Sequence, residues 1–147
     1  MKIDIYKSDE KQAQMQKFLQ YGTVMVFVDS RHPEVMVPGY LKGDYQLRLN
    51  FDYAYELEDF RVLADRIEAS LSFNKKDFFC VLPYEAVYLM VNHSIQRGSL
   101  FVETVPVEML QFFADEAQAG EGKKSKKQET VAQKKSPPKK GHLRLVK

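Results

Sequence analysis

Every aromatic side chain in this 147-residue chain, ten Phe and eight Tyr, lies at or before Phe113. Past Ala117 the sequence turns to lysine, glutamine, glycine and serine, with Ser-Pro-Pro at 136–138. A segment of that composition cannot bury enough apolar surface to offset its ordering entropy, so it is expected to be disordered. Folding is therefore expected within residues 1–116, enough for one domain of ordinary size. Residues 117–141 read as a flexible basic linker and 142–147 as a separate terminal motif.

Charge divides at the same place. Residues 115–147 hold ten basic and four acidic side chains, a net +6, which leaves −4 for the preceding 114. The longest apolar run, "VMVFV", is far shorter than the roughly 20 residues that span a bilayer. The opening "MKIDIYKSDEK" has no apolar core of a signal peptide, so a cytoplasmic protein with no membrane partner is expected. The single Cys80, in "DFFCVLP", has no partner for an internal disulfide and reads as a small core residue.

Ser8 is placed to cap a helix through "EKQAQMQKFLQY", stopped by Gly22, with Met15, Phe18 and Leu19 on one side. That side suits either the chain's own sheet or a second subunit. Strands are expected at "TVMVFVD", at a short "EVMVP" stopped by Pro38, and at "YQLRLNF", where Leu47, Leu49 and Phe51 share a face. "RIEASLSFN" alternates with Ile67, Ala69, Leu71 and Phe73 inward, and its short link to "DFFCVL" predicts an antiparallel hairpin. Pro83 and Gly98 bracket a predicted second helix, "PYEAVYLMVNHSIQR". A strand at "SLFVE" and a helical turn or two in "PVEMLQFFADEA" follow. The order predicts a compact, mainly β, α+β domain or small barrel rather than an alternating α/β sheet.

Catalytic chemistry is hard to find in this pattern. His32, His93 and His142 have no second ligand at metal-binding spacing, and no nucleophile elbow or phosphate-cradling glycine loop occurs. Glu56, Glu58 and Asp59 crowd one loop, where a carboxylate pair could do acid–base work, but a solvated acidic loop is the simpler reading. The expectation is a protein that is not an enzyme and needs no cofactor. The tail lysines suit phosphate non-specifically, yet no aromatic is interleaved with them to stack bases. They read better as a solubilising linker, with a small nucleic-acid-binding barrel as the alternative.

The chain's last five residues are "LRLVK", three of them apolar after a polar stretch. Such a tip suits a short motif that docks in a partner's groove. A 25-residue linker gives it a reach of roughly 25–30 Å. One domain with one tethered motif is an adaptor's layout.

These features together resemble the stringent starvation protein B (SspB) family, bacterial adaptors of the ClpXP protease. "FVDSRHPEVMVPGYLKGDYQLRLNF" is similar to the family's V-D strand, P-x-V-x-V-P strand, D-G-type turn and I-V-L-N strand. "VLPYEAVYLMV" resembles its V-P-x-x-A-V segment, "GSLFVE" its glycine-led final strand, and "LRLVK" its terminal L-R-V-V-K. The resemblance implies an N-terminal helix on a small, bent, antiparallel Sm-like barrel or sandwich, dimerising through that helix. It implies a groove for ssrA-type degradation tags, assigned here to Val35, Val37, Pro38, Leu49, Asn50, Phe51, Leu71 and Phe73. It further implies that Leu143, Arg144, Leu145, Val146 and Lys147 dock on the zinc-binding N-terminal domain of ClpX. Where the family reads F-N-A-R-F, this chain has "ASLSF", and its linker is basic where the family's is acidic.

Overall fold

A computed structural model describes residues 1–113 of the chain, so the linker and the terminal motif lie outside the described residues. Among the described residues, eight strands form two sheets. β1 (Lys2–Ile5), β2 (Val24–Val28), β3 (Leu47–Phe51), β7 (Val87–Asn92) and β8 (Arg97–Leu100) form the larger, in the order β1-β8-β7-β2-β3. β4 (Arg61–Val62), β5 (Arg66–Phe73) and β6 (Lys76–Pro83) form the smaller, in chain order. The sheets are not closed into a barrel. All pairings are antiparallel except β1 with β8, an unforeseen parallel strand at the N-terminus.

Alternation decides which side chains meet between the sheets. Val24, Val26 and Val28 of β2 and Leu47, Leu49 and Phe51 of β3 face Ile67, Ala69, Leu71 and Phe73 of β5 in one core. The hydrophobic run "VMVFV" is thus not buried equally on both sides, because Met25 and Phe27 turn to the outer face and are only half-buried. The β5–β6 hairpin pairs without interruption from Arg66↔Pro83 to Phe73↔Lys76. Its two-residue turn holds Asn74 and Lys75 at φ 53° and 70°, the left-handed geometry that matches strand twist.

The expected helix at Pro83–Arg97 is not present. One 3₁₀ turn, Tyr84–Ala86, leads into β7, and all six β7 residues are buried. The stripe of Val87, Tyr88 and Val91 fits a helix, but a central strand covered on both faces also makes a continuous apolar run. Pairing with β2 and β8 selects the strand. "EVMVP" likewise contributes a single bridge, Met36 to Val81, rather than a strand. The later helix is at 107–113.

Helix α1 (Lys11–Leu19) follows a 3₁₀ turn at Ser8–Glu10, so Ser8 lies inside that turn instead of capping α1. Met15, Phe18 and Leu19 enter the chain's own core, which settles where this apolar side goes. Gly22 then takes φ 122°, and a Cβ there would lie 3.1 Å from Ser94 Oγ. Polar ties fix the helix to the sheet: Asn92 Nδ2 donates to the Phe18 carbonyl at 2.8 Å and Ser99 Oγ to Gln14 Oε1 at 2.9 Å. Lys11, 1% exposed, donates from Nζ to the Tyr84 carbonyl at 2.6 Å and to Thr104 Oγ1 at 2.9 Å.

Burial lowers the Lys11 pKa from 10.5 to about 8, with Glu103 and Glu85 opposing. Between those values the unfolded chain keeps a proton that the native chain has released. Native stability contributed by this residue therefore rises with pH across that window and is lowest below it. Urea unfolding at pH 7.5, 9 and 10.5 should show wild type gaining steadily on Lys11→Met. Parallel pH profiles for the two proteins would refute a native amine that titrates early.

Candidate peptide-binding cleft

The smaller sheet ends in a hairpin tip that the larger sheet leaves partly uncovered. Cys80 and Leu82 share the inward face of β6 with Phe78, yet Cys80 is buried and Phe78 is 37% exposed. Across the hairpin Phe78 pairs with Leu71. Leu71 and Phe73 are buried, and Phe78 stands open beside them. On the outward face, Phe79 lies two residues from Val81, whose backbone pairs with Met36 through N–H···O bonds of 2.9 and 3.0 Å. Phe79 and Met36 are both exposed, and Tyr40 projects from the next 3₁₀ turn, Gly39–Leu41.

Among the described residues, two of the strand edges left open, one in each sheet, are those of β3 and β4. β3 pairs only with β2 among the described strands. β4 pairs with β5 at just Ile67 and Glu68, and beyond it Asp59 takes over the edge. The Asp59 carboxylate accepts from the Ser70 N–H at 2.9 Å and from Ser70 Oγ at 2.5 Å, which holds it below the usual carboxylate range. Ser72, two residues on, directs its backbone N–H to the same edge. Phe60 stacks on Phe51 with centroids 5.4 Å apart and so pins the 52–60 loop over the end of β3. An exposed strand edge beside apolar side chains is suited to adding an extended peptide as a further strand.

Val35, Val37, Leu49, Phe51, Leu71 and Phe73 are brought together in one core cluster, and Pro38 is also buried. They are core residues that pack between the two sheets. Asn50 faces the other side of β3, opposite Met25, and does not join them. The exposed groups Met36, Tyr40, Phe78 and Phe79 were not picked out from the sequence. Their signal is the run "DFFCVLP", whose six apolar residues exceed what one alternating face can bury.

Other reactive groups are occupied or muted. His32 Nε2 lies 3.2 Å from Glu85 Oε1, and its Nδ1 accepts from the Glu34 N–H at 3.1 Å. Burial pushes the Cys80 thiol up to about 12, far from thiolate reactivity. Glu56 and Glu58 are exposed on the loop that Asp59 anchors. No cluster of three metal-ligating side chains occurs among the described residues.

Two packed sheets with open strand edges and an apolar hairpin tip make a small, mainly β domain with apolar side chains left exposed at one end. The comparison with protein families is specific: the SspB family, stringent starvation protein B, matches residues 10–147, and the chain belongs to that family. Membership gives it, in general terms, the role of an adaptor for the ClpXP protease; the family is one of adaptors, not enzymes. A search of curated proteins found no match.

Burial separates floor from contact surface experimentally. Leu71→Ala should cost about 2–4 kcal/mol in chemical denaturation, the usual range for a buried leucine. Phe78→Ala, exposed at the tip, should cost about 1 kcal/mol or less. Equal losses at the two positions would place Phe78 in the core.

Proposed function

We propose that this chain binds ssrA-type degradation tags in the cleft at the β5–β6 tip and hands the tagged protein to ClpXP. The observation that carries the reading is the pairing of open backbone edge with open apolar surface at one place. Such a site holds an extended peptide by main-chain hydrogen bonds and sorts it by side-chain pockets. Phe78, Phe79, Met36 and Tyr40 supply contacts, over a floor of Val35, Val37, Leu71 and Phe73. Leu71 makes that floor bulkier than the family's alanine, which favours a tag with a smaller side chain at that point.

Residues 1–116 would be the tag-binding domain, 117–141 the tether and 142–147 the docking motif, with Leu143, Arg144, Leu145, Val146 and Lys147 engaging the zinc-binding N-terminal domain of ClpX in the cytoplasm. A tip of this size buries too little to bind tightly alone. Tethering makes each later contact intramolecular, at an effective concentration on the order of millimolar for a short linker. A homodimer would double the tails. Since Met15, Phe18 and Leu19 serve the chain's own core, an α1-mediated dimer would rest on exposed Gln16, Lys17, Gln20 and Tyr21.

Fluorescence anisotropy with a labelled ssrA-type peptide tests the cleft, and degradation of a tagged reporter by ClpXP tests delivery. Phe78→Asp should weaken peptide binding at least about tenfold, equivalent to roughly 1.4 kcal/mol. Leu143→Asp with Val146→Asp should leave peptide affinity unchanged and abolish the stimulation of degradation. Binding indifferent to Phe78→Asp would remove the cleft assignment. Affinity for single-stranded nucleic acid that falls steeply between 50 and 200 mM salt, without any tag binding, would favour the nucleic-acid reading instead.

A further inference from the structure

At the edge opposite β3 the larger sheet ends in β1, which among the described residues pairs only with β8. The Lys2 N–H donates to the Gln96 carbonyl at 3.1 Å and the Tyr6 N–H to the Leu100 carbonyl at 2.9 Å. In a parallel ladder, alternate residues turn both backbone groups to the same neighbour. Lys2, Asp4 and Tyr6 therefore serve β8, and Ile3 and Ile5 direct N–H and C=O away from the sheet.

The side chains of this strand divide in the same way. Met1, Ile3 and Ile5 are exposed, Ile5 by 68%. Met1 and Ile3 lie on the outer face, in a cleft of about 640 Å³ shared with Met25, Phe27, Leu89 and Val91. Asp4 lies on the inner face, 3.7 Å from Arg97 Nη1, in a pocket it shares with Lys17 and Tyr21. Lys2 shares the inner face by alternation.

We propose that β1 pairs antiparallel with β1 of a second copy, across a two-fold axis at Ile3, joining two five-stranded sheets into one. The strand's own sequence selects this occupant. A register centred on Ile3 sets Ile3 against the partner's Ile3, Met1 against the partner's Ile5, and Lys2 against the partner's Asp4. The outward groups of the two Ile3 residues then bond reciprocally, and each Ile5 N–H meets the Met1 carbonyl across the axis. Apolar side chains meet on the outer face and opposite charges on the inner one. Recentring on Asp4 would set the two Asp4 carboxylates against each other, which is unfavourable. An intermediate slip would turn apolar side chains towards charged ones. Lys2 and Asp4 thus guard the edge against other strands and admit a copy of the same one.

This interface is a strand edge, where the family resemblance points to α1. It leaves β3 uncovered at the far edge of each copy. Both copies then keep that edge for cargo; this consequence, unlike the pairing itself, rests on the peptide-cleft reading.

Sedimentation of the full chain, with amide hydrogen exchange at Ile3 and Ile5 read by NMR, tests the pairing. Wild type should form a concentration-dependent dimer, and these two amides should gain protection as protein concentration rises. Ile3→Pro removes an N–H that the chain's own ladder does not use, and should raise the dimer Kd at least about tenfold. Lys2→Glu and Asp4→Lys should each weaken the dimer similarly, because each sets like charges opposite one another. Mixed in equal amounts, those two variants should associate about as well as wild type, since pairing one with the other restores opposite charges at both contacts. That recovery is seen only with folded chains, so it tests the register even if Ile3→Pro disturbs β1. A wild type that stays monomeric overturns the proposal, as does a mixture that associates no better than its components. A dimer whose Ile3 and Ile5 amides exchange as fast as in the monomer uses another surface, α1 included, and overturns it too.

Discussion

The seating of α1 on the end of the sheets depends on a buried amine. Lys11 reaches past the apolar side of its helix to the Tyr84 carbonyl, just after β6, and to Thr104, just after β8. Thr104 Oγ1 passes the contact on to the Val87 carbonyl at 2.7 Å. One side chain thus joins the helix to the junctions where the smaller sheet hands over to the larger and where the larger ends. An amine in that place costs desolvation, which lowers its pKa. The two oxygens and the Phe101 ring, 5.4 Å from Nζ, offset that cost.

With α1 fixed, the two sheets face each other across a single core, and the functional surfaces lie where that core stops. At the hairpin tip the smaller sheet outruns its cover, and Phe78 emerges beside a buried floor. On the far side of the larger sheet, Met25 and Phe27 look away from the core into a second cluster with Leu89, Val91 and Phe113. The sheet therefore separates two apolar surfaces with different characters. One is bordered by backbone edges and the other by basic side chains and a helix.

The ion pairs on this scaffold are modest. Arg31 bridges Asp29 at 2.8 Å and Glu108 at 2.7 Å, linking the end of β2 to the 107–113 helix. The carboxylates hold the guanidinium's pKa above its usual value and it holds theirs below. All three groups face solvent, where screening leaves such a bridge to orient the helix more than to stabilise the fold.

The sequence by itself determined the alternating faces of β3 and β5, the β5–β6 hairpin, the helix ending before Gly22 and the resemblance to a family of adaptors, because each rests on local periodicity, turn chemistry or motif order. It pointed to a helix for "AVYLMVN", wrongly, since a continuously apolar run satisfies both periods. Only pairing with β2 and β8 decided that. It could not say whether Phe18 and Leu19 served the core or a partner, nor reveal that β1 pairs in parallel with a strand some ninety residues later. Nor could it show which half of "DFFCVLP" was left open. Local rules name the apolar residues, but the extent of the facing sheet decides which of them remain uncovered.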